Sequence, residues 1–260
     1  MIYFDYHVHM GQFEEIYYNP YKVVEVLSLC GIKGAYISST TSCISWNNKD
    51  EKRQIINHII DECIEARESA KRMHVNLKIL LWLIPQRYLE GESVVKMINE
   101  FPYCGFKIHP RAHDWTLSDS KICFLMDEIC NYAMEKEIPI VIHTGKEFFE
   151  TSKKFERWFW KYPEVNFQLA HCKDVDSMSE MLAKYKNVTC DIAMSDEKVV
   201  KNLITKGFAN QIVFGSDFPI TNYYMEETRS TNRLLLCNEY KQLLCAWEKV
   251  LGHETITNGF

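Results

Sequence analysis

The sequence predicts an α/β fold, a closed (β/α)8 barrel of the TIM type that forms a single domain over residues 1–260. Short apolar runs alternate with longer helical patterns, which is typical of parallel strands joined by helical crossovers. Eight such pairs fit into 260 residues, close to the ~250 that this barrel commonly uses. The first run lacks the glycine-rich phosphate loop of a doubly wound sheet, and no linker rich in proline, glycine or serine divides the chain. A closed barrel is therefore favoured over an open sheet.

Eight runs of apolar or β-branched residues predict the strands. They cover residues 2–8, 34–38, 77–84, 105–109, 139–143, 166–171, 188–192 and 211–215. Asn19 and Pro20 provide a cap and a first-turn proline for a helix over residues 21–30, and Asp50 opens an amphipathic helix to about residue 74. The later helices are predicted over residues 93–101, 119–136, 152–160, 176–185, 196–206 and 228–251. Each predicted strand is therefore followed by a helix.

Composition and charge exclude several classes of protein. The chain is 47% hydrophobic and 25% charged, which disfavours disorder and coiled coil. Its longest apolar stretch, residues 79–84, is far below the ~18 residues of a membrane span, and no signal-peptide pattern precedes Asp5. Ten cysteines without a C-x-x-C pair indicate reduced thiols, and a net charge of -5 disfavours nucleic acid as a partner. We expect a cytoplasmic protein that acts on a small molecule and does not bind membranes.

Polar side chains end several predicted strands, where a barrel of this kind carries its chemistry. Five of the nine histidines lie at such ends, at positions 7, 9, 109, 143 and 171. Asp217 follows the eighth run. Single histidines at these places are common as satisfied core residues, and an aspartate before Pro219 is common in turns. Their occurrence together favours a functional site over these simpler interpretations.

The spacing of His7 and His9 suits a metal site. Strand side chains alternate between faces, so both imidazoles point to the same side and can bind one ion. An isolated H-x-H pattern is weak, but His143 and Asp217 extend it to a mixed nitrogen and oxygen set. That set is suited to zinc or another divalent first-row metal.

Taken in order, these motifs resemble the amidohydrolase superfamily of metal-dependent barrels, and most closely the amidohydrolase-related group also called amidohydrolase family 2. The resemblance spans essentially the whole chain. It rests on FDYHVH at residues 4–9, GFKIHP at residues 105–110, VIHTG at residues 141–145, LAH at residues 169–171 and FGSDFP at residues 214–219. It implies a metal held by His7, His9, His143 and Asp217. His171 would then lie beside the activated water or bind a second ion.

The resemblance implies a metal-dependent hydrolase, with zinc favoured, manganese as the alternative, and one ion favoured over two. In this hypothesis His171 orients or deprotonates the water and Asp217 passes the proton to the leaving group of an amide, ester or lactone. The alternative is a non-oxidative decarboxylase of the aminocarboxymuconate semialdehyde decarboxylase type, which uses a similar site. A nuclease is disfavoured by the acidic balance, and a structural zinc site by the absence of cysteine pairs.

The substrate-binding residues are predicted near the same strand ends. They are Lys107, His109, Arg111 and His113, and their basic character indicates an anionic substrate. Lys107 has a second interpretation, because binuclear relatives often use a carboxylated lysine from the fourth strand as a bridge between two ions. Dimers are common among such barrels, so a homodimer is compatible with the resemblance, although no segment identifies an interface.

Overall fold

The computed structural model describes residues 1–43, 49–145, 151–173, 175–224 and 231–251. The chain divides into two compact units, one formed by Met1–Ile79 with Phe214–Phe260 and the other by Leu80–Val213. Each unit has its own sheet. That the whole chain forms a single domain stays a prediction from the sequence.

The first unit is built on a four-stranded sheet in the order β2-β1-β3-β4. Its elements are β1 (Phe4–Phe13), β2 (Ile16–Tyr18), α1 (Pro20–Leu29), β3 (Gly34–Ser39), α2 (Lys49–Met73), β4 (Asn76–Ile79), α9 (Ile220–Tyr224) and α10 (Arg233–Leu251). The pairs β1–β3 and β3–β4 are parallel, and β2 returns antiparallel to the end of β1.

Local sequence explains the helix boundaries of this unit. The Asn19 side chain accepts from the backbone N–H of Lys22 over 3.1 Å and Pro20 opens α1, as the sequence predicts. The Asn232 side chain accepts from the N–H of Leu234 over 2.9 Å at the start of α10. Val8, Met10, Leu27 and Ile37 are among the residues that form the buried core.

The second unit holds a six-stranded sheet in the order β10-β9-β8-β7-β6-β5, and its neighbouring strands are parallel. Its elements are β5 (Leu81–Trp82), α3 (Pro85–Leu89), α4 (Val94–Ile98), β6 (Phe106–Ile108), α5 (Ser120–Lys136), β7 (Ile140–His143), α6 (Glu156–Lys161), β8 (Phe167–Ala170), α7 (Val175–Lys184), β9 (Val188–Asp191), α8 (Glu197–Leu203) and β10 (Ile212–Val213). Strands buried on both faces read as continuous apolar runs, and Ile140, Ile142, Phe167 and Leu169 are almost fully buried.

The structure corrects several predicted boundaries. The third predicted strand, residues 77–84, is two strands: residues 76–79 pair with β3, whereas residues 81–82 pair with β6. The first strand continues to Phe13, and β2, α3 and α9 were not predicted. The predicted helix over residues 196–206 ends at Leu203 and continues as a π turn, in which Gly207 adopts a φ of 92°. Residues 228–230 of the last predicted helix lie outside the described residues.

No described helix is long and apolar enough to cross a bilayer.

Candidate metal centre

Backbone pairing brings Asp217 beside the two histidines of β1. The segment after β10 runs parallel to β1: Tyr6 N–H donates to the Phe214 carbonyl, Asp217 N–H to the His7 carbonyl, and His9 N–H to the Phe218 carbonyl, over 2.7–2.8 Å. Asp217 adopts a φ of 57°, in the left-handed region where aspartate is enriched among non-glycine residues. The ladder thus places its side chain beside the face of β1 that carries His7 and His9.

Three side-chain atoms converge at this point. His7 Nε2 lies 3.1 Å from His9 Nε2, and Asp217 Oδ1 lies 3.4 Å from the first and 3.0 Å from the second. All three residues are at most 4% exposed. In a tetrahedral zinc site with ligand bonds of 2.0–2.1 Å, neighbouring ligand atoms are about 3.3 Å apart. The observed triangle therefore has the size of one face of such a site.

The hydrogen bonds of His9 show that these atoms suit a cation. Its Nδ1 lies 3.4 Å from the Ser38 carbonyl oxygen and 3.1 Å from Ser38 Oγ. Ser38 Oγ can donate or accept, whereas the carbonyl oxygen only accepts, so the carbonyl contact favours the tautomer with the proton on Nδ1 and a lone pair on Nε2. That lone pair faces the carboxylate of Asp217 at 3.0 Å, and two acceptors at this distance repel unless a proton or a cation lies between them. The residues present therefore fit a divalent metal ion.

Asp5 lies two residues before His7 and is fully buried. Burial raises the pKa of its carboxyl to about 6, although hydrogen bonds from Ser216, Tyr240 and the backbone of His7 lower it in part. A buried carboxylate next to the ligand triangle was not singled out from the sequence, although the motif at residues 4–9 contains it. The groups that donate hydrogen bonds to Asp5 come from β1, the segment after β10 and α10.

In the second unit, His171 directly follows β8 and is held in one tautomer. Its Nδ1 lies 3.1 Å from the Ala193 carbonyl oxygen, so Nδ1 is the donor and Nε2 presents a lone pair. Its backbone N–H donates to Asp191 Oδ1 over 3.1 Å, and its φ of 66° turns the chain sharply at the strand end. An imidazole fixed in this way is suited to accept a proton at Nε2.

Asp191 is a buried neighbour of His171 that the sequence interpretation missed. It is 0% exposed, and besides His171 its carboxylate accepts from Gln168 Nε2 over 2.9 Å and from Ala193 N–H over 3.1 Å. The available signal was a carboxylate near the end of the seventh apolar run, residues 188–192. The Asp191 carboxylate, at the end of β9, therefore connects this strand to the end of β8, where His171 lies.

Three predicted site residues of the second unit form a column of rings. His109 stacks on His143 with ring centroids 3.7 Å apart and on Trp82 at 5.1 Å, and His143 meets His171 edge to face at 4.7 Å. His109 Nδ1 accepts from the N–H of Ala112 over 3.2 Å, so its Nε2 carries the proton when the ring is neutral.

The remaining predicted substrate-binding residues differ in exposure. Lys107 is 1% exposed, and its ammonium lies 5.9 Å from the centre of the Trp82 ring, within cation–π range. His113 is buried, whereas Arg111 is exposed. The structure thus brings together His7, His9 and Asp217 in the first unit and His109, His143 and His171 in the second.

Comparison with known proteins identifies the family. A family model described as amidohydrolase matches residues 92–236, more than half of the chain, so the chain belongs to the amidohydrolase family. No curated protein matches the chain. The resemblance predicted from the motifs is therefore confirmed.

Solved structures confirm the predicted fold class. A crystal structure of an amidohydrolase II has a TM-score of 0.69 at 13% identity and covers 99% of this chain and 96% of its own. A 5-carboxyvanillate decarboxylase from Novosphingobium aromaticivorans with bound manganese has a TM-score of 0.54 at 13% identity, covering 82% and 76%. An organophosphorus hydrolase variant from Deinococcus radiodurans has a TM-score of 0.53 at 12% identity, covering 83% and 74%. These likenesses confirm the α/β barrel class, and at such identities they show the fold alone.

Proposed function

We propose that this chain is a metal-dependent hydrolase that cleaves an amide, ester or lactone bond in a small anionic molecule. The observation that carries the proposal is the convergence of His7 Nε2, His9 Nε2 and Asp217 Oδ1 within 3.4 Å of one another. Membership of the amidohydrolase family supports it. The three atoms combine two neutral nitrogens with one carboxylate, as catalytic sites for divalent ions often do.

We assign one divalent ion to this triangle, with zinc favoured and manganese as the alternative. When bound, such an ion activates water and polarises the carbonyl of the substrate. His143 enters the proposal as the fourth ligand from the sequence pattern alone. Borderline ions accept two or three imidazoles and a carboxylate, whereas calcium and magnesium prefer oxygen, which is why we favour zinc or manganese.

Two residues of the chain are assigned to proton transfer. His171 presents Nε2 as an acceptor because the Ala193 carbonyl holds the proton on Nδ1. We assign it to orient or deprotonate the attacking water. In the arm in which His171 only orients the water, Asp217 would take the proton and give it to the leaving group, and in the other arm His171 would hold the proton and Asp217 would act as a ligand; the first role is suited to a buried carboxylate.

The substrate is assigned from the basic residues near the strand ends of the second unit. Lys107, His109, Arg111 and His113 provide cationic or hydrogen-bond-donating groups for a carboxylate or phosphate. Cation–π contact and burial hold the Lys107 side chain in place. A net charge of -5 favours a small anion over nucleic acid, because a nucleic-acid footprint needs a broad basic surface.

The first experiment measures metal content by elemental analysis after the chain is stripped with a chelator, incubated with zinc or manganese and dialysed. We expect about one ion per chain in the natural protein and almost none in a His7→Ala, His9→Ala variant. His74→Asn is the matched control, because His74 is exposed and asparagine tolerates its φ of 55°. No uptake by the natural protein, or equal uptake by the double variant, would contradict the metal site.

A second experiment distinguishes hydrolysis from decarboxylation. The metal-loaded protein is assayed with lactones, amides, esters and unsaturated or aromatic carboxylic acids in water enriched in oxygen-18, and both labelled product and carbon dioxide are measured. Hydrolysis incorporates the label without releasing carbon dioxide, and a His171→Asn variant loses at least ~100-fold in turnover. Release of carbon dioxide without incorporation would replace our proposal with the decarboxylase.

A further inference from the structure

The carboxylate of Asp5 joins three segments of the first unit. Its Oδ1 accepts from the backbone N–H of His7 and from that of Ser216, each over 3.0 Å, and its Oδ2 accepts from the Tyr240 hydroxyl over 2.6 Å. His7 is a ligand of the candidate metal centre, and Ser216 precedes the ligand Asp217. One side chain thus contacts both segments that carry the ligand triangle.

Tyr240 holds this carboxylate from α10. Its side chain is completely buried, and its ring packs against Phe218 with centroids 4.9 Å apart. A hydroxyl that donates to a carboxylate at 2.6 Å forms a short, charge-assisted hydrogen bond. Because the ring and the carboxylate are both enclosed, this bond fixes where Asp5 Oδ1 lies relative to the two backbone N–H groups.

The Asp5 carboxylate adds to the contacts between the two segments that carry the ligands. Backbone hydrogen bonds that involve His7 and Phe218 set the register between β1 and the segment after β10. The Asp5 carboxylate adds a second connection at the level of Ser216, where its hydroxyl also donates to the His7 carbonyl over 3.3 Å. Without the Asp5 contacts, the distance of 3.4 Å between His7 Nε2 and Asp217 Oδ1 rests on the ladder and on the Ser216 hydroxyl.

We propose that Asp5 and Tyr240 are positioning residues of the metal centre, Tyr240 fixing the Asp5 carboxylate and Asp5 fixing the segments that carry His7 and Asp217. This inference rests on the proposed function, because it requires the triangle to bind an ion. It extends the site to α10, because the Tyr240 hydroxyl acts on the ligands through Asp5. The role is geometric, so the amide of an asparagine at position 5 can replace the carboxylate.

The experiment measures the zinc dissociation constant by competition with a fluorescent chelator, together with the unfolding free energy of the metal-free protein. Tyr240→Phe removes one oxygen, and we expect it to weaken zinc binding about tenfold, at the low end of the range for hydrogen-bond partners that orient metal ligands. Asp5→Ala removes all three contacts and is expected to weaken binding about 100-fold. Asp5→Asn keeps an oxygen for the two N–H groups, and its amide N–H can donate to the Tyr240 hydroxyl oxygen, so we expect zinc binding within about threefold of that of the natural protein.

Tyr162→Phe is the matched control. Tyr162 is also buried, and its hydroxyl donates to a carboxylate, Asp127 Oδ1, over 3.2 Å in the other unit. We expect this variant to lower stability without changing zinc affinity. Equal losses of zinc affinity in Tyr162→Phe and Tyr240→Phe would show a general effect of stability and overturn the inference.

The remaining outcomes separate the inference from the proposed function. Zinc binding by Tyr240→Phe equal to that of the natural protein would overturn the positioning role and leave the metal site intact. Asp5→Asn as weak as Asp5→Ala would show that the charge of Asp5 acts on the ion, and would overturn the geometric role even if Tyr240→Phe failed to fold. Failure of the natural protein to bind zinc or manganese would overturn the proposed function as well.

Discussion

Glu62 is a buried carboxylate that binds polar groups away from the candidate metal centre. It lies on α2, is 1% exposed, and accepts from Ser39 Oγ over 2.5 Å and from Thr41 Oγ1 over 2.7 Å. His58 and Tyr17 also contact it. Burial raises the pKa of Glu62 above its ordinary value of 4.5, although these hydrogen bonds and the charge of His58 lower it in part.

The raised pKa of Glu62 predicts a pH-dependent contribution to stability. Because the folded state holds the proton more tightly than the unfolded state, the contribution is full below the unfolded pKa of about 4.5 and is lost as the pH rises through the folded pKa. We therefore expect Glu62→Gln to gain unfolding free energy relative to the natural protein as the pH is raised from about 5 to about 8. Urea titrations at several pH values measure this difference.

Glu68→Gln is the control for Glu62→Gln, because Glu68 lies exposed on the same helix. Its difference from the natural protein should stay constant over the same pH range. A constant difference for Glu62→Gln as well would show that Glu62 has the same pKa in the folded and unfolded states, contrary to our prediction.

Sequence patterns could predict the ligand residues of the candidate site but not the residues that position them. His7, His9 and Asp217 were found because alternation along a strand and the location of strand ends follow from local sequence. The contact of Tyr240 with Asp5 joins residues from opposite ends of the chain, and no local pattern shows which buried hydroxyl will face which carboxylate. The apolar surroundings of Tyr240 in α10 predict only that its ring is buried.

One buried guanidinium of the second unit connects α3 to the residues on either side of α4. Arg87 of α3 donates from Nε to Glu92 Oε2 over 2.7 Å and from Nη2 to Glu100 Oε1 over 2.5 Å. The Arg87 side chain is 5% exposed, and those of Glu92 and Glu100 are 27% and 19% exposed. A helix of five residues such as α3 or α4 is marginal by itself, so these contacts help to hold both in place.

Removing the charge of Arg87 should destabilise the chain. Arg87→Met leaves Glu100 without the guanidinium and Glu92 with the exposed Lys96 as its remaining cation. We expect a loss of about 3 kcal/mol in unfolding free energy, since both carboxylates keep some contact with water. Replacing all three residues, as Arg87→Met with Glu92→Gln and Glu100→Gln, should recover most of the loss. Chemical denaturation measures both variants.

Lys96→Ala tests whether the effect of Arg87→Met depends on burial. Lys96 pairs with Glu92 at 3.0 Å, but its side chain is 63% exposed, so its removal should cost less than about 1 kcal/mol. Losses of similar size in unfolding free energy in Arg87→Met and Lys96→Ala would show that the burial of Arg87 does not strengthen its contribution, contrary to our prediction.

Strands and long helices were predictable because each carries its own periodic pattern. Short elements such as β2 and α3 have too few residues to show a periodic pattern. They form because they contact residues from other parts of the chain. The apolar run over residues 77–84 illustrates the limit. Its residues are all suited to a buried strand, but its first part pairs with β3 and its second part with β6. Apolar character specifies burial and does not specify which backbone is the partner.

At the scale of the whole molecule, the candidate metal centre connects segments that lie far apart in sequence. His7 and His9 come from the first strand, whereas Asp217 comes from the segment after the last strand. The three atoms converge only when β1 and that segment are paired, so the unfolded chain does not present the same site. An ion that binds the folded state alone must therefore stabilise folding.

We predict that metal raises the thermal stability of this chain and that chelator lowers it. At a free zinc concentration of about 100 times the dissociation constant, the gain is about 2.7 kcal/mol, which for a chain of this size corresponds to a rise in Tm of about 5 °C. Differential scanning calorimetry of stripped protein, with and without zinc, measures the shift. His9→Ala should show no rise, because it removes one corner of the triangle, whereas His74→Asn should rise as the natural protein does. An equal rise in Tm in His9→Ala would place the stabilising ion at another site. Binding at the triangle of His7, His9 and Asp217 would then not be the cause of the added stability.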